Sequence, residues 1–225
     1  DTSHCLVGSE MCIRDSHQGG AVIALVDYGA GNLRSVEFAL EKLEVNWQRA
    51  STPAAIAAAS AVILPGVGAA ASAMRELADR DLIAALRESR RPLLGICLGM
   101  QLLTGSSEEG ESAVPCLGLL EGRTDRLGSV RPGFDLPLPH IGWNETHLAE
   151  DPLFEGLGRR EHFYFLHSYR VNTPTEHVIA EVEYGERFPA AVRKGQRMAV
   201  QFHPEKSGPA GLAVLANFCR EGGRE

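Results

Sequence analysis

No stretch of this sequence approaches the roughly 18 consecutive apolar residues of a membrane-spanning helix, so none is expected. Lys and Arg never gather into more than a short cluster, and the net charge is −7. A nucleic-acid partner would require a basic face and is therefore not expected. The five cysteines (Cys5, Cys12, Cys97, Cys116, Cys219) are odd in number, irregularly spaced and free of CxxC pairs. Neither a disulfide framework nor a zinc site of that kind is expected, and a reducing cytoplasm fits best. Internal repeats, low-complexity tracts and linkers are missing too, which leaves one domain. What remains is ordinary globular material: 225 residues, 44% hydrophobic and 23% charged, enough for one sizeable core.

The first twenty residues differ from the rest. Asp1 to Gly20 is polar and lacks the apolar centre of a secretory signal. Met11-Cys12-Ile13-Arg14-Asp15-Ser16 is what ATG TGT ATA AGA GAC followed by AGC or AGT encodes, a string resembling the end of a transposase-based sequencing adapter. Residues 1 to about 17 are therefore expected to be a library artefact, fused in frame to a protein whose own start is missing. An ordinary disordered arm is the alternative. On either view residues 1–20 are an extension, and residues 21–225 carry the function.

From Ala21 the pattern becomes regular. Val22–Val26, Val45–Gln48, Ala61–Leu64 and Pro92–Ile96 read as short strands, the first, third and fourth being continuous apolar runs typical of strands buried on both faces. Helical patterns alternate with them: one through Val36, Ala39, Leu40 and Leu43, then Ala54–Ala59, Ala70–Ala78, Leu82–Ser89 and Leu98 to about Leu103. This alternation predicts an α/β fold, a mainly parallel open sheet with helices on both faces. Arg123 to Pro139 reads as loops with short strands. Glu161–Leu166, Val178–Tyr184, Ala190–Arg193 and Met198–Phe202 look like further strands, and Gly211–Arg220 like a closing helix.

Three segments could carry chemistry. Cys97 stands at a strand-to-helix junction between Gly95 and Gly99, the spacing of a nucleophile elbow. The helix that follows would aim its first amides at the sulfur and favour thiolate. Alone, such a cysteine also reads as a small buried hydrophobe. His203-Pro204-Glu205 offers a base and, beyond a Pro that fixes the backbone, a carboxylate to orient it. Alone, that tripeptide reads as a surface loop. Pro65-Gly66-Val67-Gly68 ends a strand at the same sheet edge, where its amides, with that of Leu98, could hold an oxyanion. Alone, it reads as a plain turn. Together, nucleophile, base, orienter and oxyanion loop make coincidence improbable.

In order and separation these segments resemble the class I, or triad, glutamine amidotransferases. The closer resemblance is to the glutaminase subunits of imidazole glycerol phosphate synthase, through Asp27-Tyr28-Gly29-Ala30-Gly31-Asn32, His140-Ile141-Gly142-Trp143-Asn144 and His203-Pro204-Glu205-Lys206-Ser207. It covers about residues 21–221 and implies a flavodoxin-like fold. It further implies Cys97 as nucleophile, His203 as base and then acid, and Glu205 as orienter. Gln101, Glu109 and the loop around His167, Ser168 and Tyr169 would hold glutamine, Glu109 at its α-amino group. Tyr164 and Lys206 match positions near an ammonia passage, and Asn32, Trp143 and Asn144 match positions facing a partner, a (β/α)₈-barrel cyclase. Trp143 also reads as core, Tyr164 as packing on the sheet, and Lys206 as a solvated charge. No residue cluster calls for a metal or organic cofactor. Two departures stand out: Thr104-Gly105-Ser106-Ser107 replaces a more apolar and acidic stretch, and Ala69-Ala70-Ala71 stands where an aromatic residue often follows the glycine loop.

Overall fold

A computed structural model describes residues 21–29, 33–110, 112–128, 133 and 135–223. The extension 1–20 and the interface candidate Asn32 lie outside the described residues.

The first half is a regular alternation. Strands β1 (Ile23–Val26), β2 (Trp47–Ala50), β3 (Ala61–Leu64) and β4 (Leu93–Ile96) are interleaved with helices α1 (Leu33–Lys42), α2 (Pro53–Ala58), α3 (Ala70–Asp79), α4 (Leu82–Glu88) and α5 (Leu98–Leu103). Every residue of β1, β3 and β4 is buried, as their continuous apolar runs predict. Helix α2 begins where Thr52 accepts a hydrogen bond from the Ala55 amide and Pro53 presets the first helical turn.

The second half is built differently. Short strands β5 (Ser106–Ser107), β6 (Val114–Pro115) and β7 (Arg123–Arg126) precede the long strands β8 (His140–Leu148) and β9 (Arg160–His167). Then follow β10 (Tyr169–Asn172), β11 (Val178–Tyr184), β12 (Glu186–Lys194), β13 (Arg197–Val200) and a closing helix α6 (Gly208–Gly222). The main sheet has nine strands in the order β2-β1-β3-β4-β13-β12-β11-β8-β9, and β10-β7-β5-β6 form a smaller one.

The α/β sheet with helices on both faces is present, but it is more evenly mixed than a mainly parallel sheet. The run β2-β1-β3-β4-β13 pairs in parallel, whereas β12, β11, β8 and β9 pair antiparallel. The cause is connection length. A parallel return needs a crossover of a dozen or more residues, usually a helix, whereas β11 turns into β12 through Gly185 alone. Strand β8 was not anticipated as a strand. Its inward positions include the polar His140 and Thr146, which disguises the alternation of a half-buried strand.

The parallel strands divide their side chains between two cores. Ile23, Leu25, Ile63, Leu94 and Ile96 pack with Val36 and Leu40 of α1 and with Val214, Leu215 and Phe218 of α6. Ala24, Val26, Val62, Leu64 and Leu93 pack with Ile56, Leu77, Leu86 and Met100 on the other face. Among the described residues, no helix is long and apolar enough to cross a membrane.

Candidate active site

Cys97 is the single residue between β4 and α5 and adopts φ 53°, ψ −107°. A positive φ is costly for a residue with a Cβ, by about 1–3 kcal/mol, and persists only where packing enforces it. Here the flanking glycines allow the packing that enforces it. A Cβ on Gly95 would stand 2.7 Å from the carbonyl oxygen of Gly99, and one on Gly99 would overlap the carbonyl of Leu64. Strand β4 can therefore turn into α5 within one residue, leaving the Cys97 sulfur at the helix N-terminus.

Sheet topology supplies the partners. Strand β13 lies beside β4 with Val200 opposite Ile96, and the Cys97 amide donates to the Val200 carbonyl at 2.8 Å. The chain leaving β13 thus passes the nucleophile at once, as Gln201, Phe202 and His203. Strand β3 flanks β4 on its other side with Leu64 opposite Gly95, which delivers the Pro65–Gly68 loop to the same edge. Three strand ends that are remote in sequence meet where open α/β sheets bind ligands.

His203 Nδ1 lies 2.8 Å from Glu205 Oε1, and both side chains are almost wholly buried. A carboxylate can only accept here, so Nδ1 carries the proton and Nε2 is directed away from Glu205. Among the described residues the buried Nε2 has no aligned hydrogen-bond partner, yet the Cys97 sulfur acts on the ring. Burial opposes a charged imidazole, but Cys97 and Glu205 together outweigh it and push His203 up to about 10. His203 is therefore held as imidazolium beside the Cys97 sulfur. The thiol is also close to the Leu166 carbonyl (3.6 Å) and to Gln201 Nε2 (3.7 Å).

A cavity of about 250 Å³ opens beside the sulfur, lined by Val67, Gly68, Leu98, Gln101, Glu109, His167, Ser168 and Tyr169 among others. The oxyanion and substrate candidates are thereby brought together around Cys97, apart from Gly66, which does not line the cavity. Larger grooves, of about 470 Å³ at Leu148–Arg159 and about 650 Å³ between α2 and α4, contain none of the triad. The 250 Å³ cavity suits a small polar metabolite.

Individual side chains refine these roles. Gln101 Nε2 donates to the Tyr169 carbonyl at 3.2 Å and to Gln201 Oε1 at 3.4 Å. His167 uses both nitrogens within the protein. Nδ1 donates to the Tyr169 carbonyl at 2.7 Å, which makes Nε2 the acceptor from His140 Nδ1 at 3.1 Å. Burial holds His167 down at about 3 and His140 at about 4, so both are neutral. His167 therefore shapes the pocket loop and has no ring nitrogen left for a ligand. The Asn144 amide nitrogen donates to the Glu183 carbonyl at 2.9 Å and reaches His140 Nε2 at 3.4 Å. Neighbouring strand residues point to opposite faces, so Asn144 turns into this network while Trp143 is 57% exposed. Trp143 contacts Tyr164 edge to face, and Lys206 Nζ lies 5.9 Å from the Tyr164 ring centroid. These three form one cluster on the outside of the triad.

Some contributors carried no prior signal of their role. The Tyr28 hydroxyl donates to the Pro65 carbonyl at 3.0 Å and so braces the glycine loop. The Ser207 hydroxyl accepts from the Tyr164 amide and donates to the His203 carbonyl, tying the base to β9. Only the adjacency of Gln201 and Ser207 to the His-Pro-Glu segment pointed to them. The departures are absorbed locally. Thr104 Oγ1 closes α5 on the Gln101 carbonyl at 2.7 Å, and Ala70 is capped by Glu109.

Known proteins supply the frame for this geometry. The family description "Glutamine amidotransferase class-I" matches residues 24–221. Over 195 residues, 86% of this chain and 97% of the relative, the sequence is 46% identical to the imidazole glycerol phosphate synthase subunit HisH of Mannheimia succiniciproducens. It is 46% identical over 200 residues to the same subunit of Methanosarcina acetivorans, covering 87% of this chain and 96% of the relative. A crystallised glutamine amidotransferase superposes with a TM-score of 0.68 at 23% identity, covering 91% of this chain and 100% of that one. PurLQS from Thermotoga maritima superposes at 0.64 and 20% identity, covering 89% and 98%. At such identities the two structures speak for the fold, and the matched family and relatives for descent: this chain belongs to the class-I glutamine amidotransferases.

Proposed function

We propose that residues 21–225 form the glutaminase subunit of an imidazole glycerol phosphate synthase, hydrolysing glutamine and passing the ammonia to a (β/α)₈-barrel cyclase. The observation that carries the chemistry is Cys97 at its strained elbow, with His203 held by Glu205 at 2.8 Å beside it. The relatives' name supports the pathway.

The Cys97 thiolate attacks the side-chain amide carbon of glutamine. The amides of Leu98 and of the Gly66–Gly68 loop receive the oxyanion, since the first-turn amides of α5 have no intrahelical acceptor. His203 starts protonated and gives its proton to the leaving nitrogen, releasing ammonia and leaving a glutamyl thioester. Neutral His203 then takes a proton from water, whose oxygen attacks the thioester; glutamate leaves and the thiolate is restored. Glu205 keeps Nδ1 protonated throughout, so Nε2 serves each transfer. Ammonia leaves past Tyr164 and Lys206 towards the face carrying exposed Trp143 and Ile141, where the partner docks. The resemblance gives Asn32 a partner-facing role as well.

The chain is mixed with a cognate cyclase and the cyclase's ligand, and glutamate release is measured. Rapid release that disappears in Cys97→Ala is expected. Unchanged release in that variant would sink the mechanism, and copurification with a different synthase would sink the pathway assignment.

A further inference from the structure

Helix α3 starts directly after the oxyanion loop, and its own sequence does not cap it. Ala69 occupies the N-cap and makes no side-chain hydrogen bond. The first amides of a helix have no intrahelical acceptor and call for one from elsewhere. At Ala70 the acceptor comes from another segment, one that lines the pocket: the Ala70 amide donates to Glu109 Oε2 at 2.7 Å. Glu109 is itself placed by the turn after β5, where its amide donates to Ser107 Oγ at 3.2 Å. A negative charge at this end of α3 is also favoured by the helix dipole. Among the described residues no hydrogen bond engages Glu109 Oε1, and the residue lines the cavity beside Cys97.

We propose that Glu109, which the resemblance assigns to the substrate's α-ammonium group, is also a positioning residue for the oxyanion loop. The inference rests on the glutaminase function proposed above. One carboxylate serves both roles: Oε2 anchors Ala70, two residues beyond Gly68, and Oε1 takes the ammonium group. The distance from the amino-acid head group to the oxyanion amides is then set by one rigid planar group. A chain with a self-capping residue at position 69 would leave the loop and the head-group site independent; the alanines here make the loop depend on Glu109.

The two duties separate in two conservative variants. Glu109→Gln keeps the length and an acceptor for the Ala70 amide but loses the charge. Glu109→Asp keeps the charge but withdraws it by one carbon–carbon bond, about 1.5 Å, from Ala70. With the partner cyclase and its ligand present, Glu109→Gln is expected to raise KM for glutamine about tenfold or more, as loss of a charged hydrogen bond does. Glu109→Asp is expected to lower kcat about tenfold or more, through displacement of the loop. Hydrogen exchange at the Ala70 amide in the unliganded chain gives a second measure: protection persists in Glu109→Gln and falls in Glu109→Asp. Equal kcat in the two variants, or equal Ala70 exchange, would overturn the proposal. Absence of glutaminase activity in the unaltered chain would instead overturn the underlying function, while the exchange comparison would still decide the tether.

Discussion

Gly99 packs against Leu64 with no room for a side chain: a Cβ there would overlap the Leu64 carbonyl oxygen. The neighbour is backbone, held in β3 between β1 and β4, and cannot rotate aside. Gly99→Ala must therefore push α5 off the sheet. Overpacking of this kind costs about 1–3 kcal/mol or more. For a chain of this size that lowers the melting temperature by about 2–4 °C per kcal/mol. Because α5 carries the Leu98 amide, turnover should fall along with stability. A melting temperature matching that of the unaltered chain would show that the elbow is less tightly built.

Strain at Cys97 gives a prediction whose sign is unusual. Gly in place of Ala ordinarily costs about 0.5–1 kcal/mol. At φ 53°, ψ −107°, however, a Cβ is the liability. Both Cys97→Ala and Cys97→Gly should be inactive, and the glycine variant should melt at the higher temperature. Thermal denaturation monitored by circular dichroism compares them, and the reverse order would show that the elbow stores no strain.

Three buried histidines make stability depend on pH in opposite directions. His203 is raised from 6.5 to about 10, so the native state holds a proton that the unfolded chain releases. Its contribution is full below about 6.5 and is lost as pH rises towards 10. His140 and His167 are lowered to about 4 and about 3, so their contribution is full above 6.5 and is lost as pH falls through that lower range. Cys97→Ala removes one of the two groups that raise His203, so the alkaline loss of stability should shrink while the acidic loss stays. Denaturant midpoints measured from pH 5 to 10 test this, and an unchanged alkaline limb would separate His203 from Cys97. By NMR, His140 and His167 should both carry their proton on Nδ1.

Trp143 is predicted to act in docking and not in folding. It is 57% exposed, contacts Tyr164 edge to face, and shares its strand face with exposed Ile141. Trp143→Ala should leave the melting temperature within about 1 °C, as an exposed substitution does. Affinity for the cyclase should weaken by about 2 kcal/mol, the size of an aromatic hot spot. Calorimetric titration gives the affinity, and undiminished binding would place the docking surface elsewhere.

Local pattern alone determined a good deal of this protein. Buried runs such as Ala61–Leu64 and Leu93–Ile96 are strands because all their residues are apolar, and Leu98–Leu103 is a helix because an elbow glycine and an apolar stripe precede a polar break. Gly95, Cys97 and Gly99 marked the nucleophile because close backbone approach is a local demand. What no local pattern contained was adjacency. His203 reaches Cys97 because β13 inserts beside β4, and the Pro65–Gly68 loop does so because β3 lies on the other side. Pairing between remote strands is set by how the whole set of apolar faces is buried. The same holds for polar residues inside the sheet. His167 reads from sequence as a substrate ligand and Asn144 as a partner-facing group, yet the fold gives both His167 ring nitrogens and the Asn144 amide nitrogen partners within the protein. Residue types fixed which chemistry was available, and only the tertiary structure decided which side chains remained free to perform it, because burial makes an unpaired polar atom costly and so spends most of them on the fold.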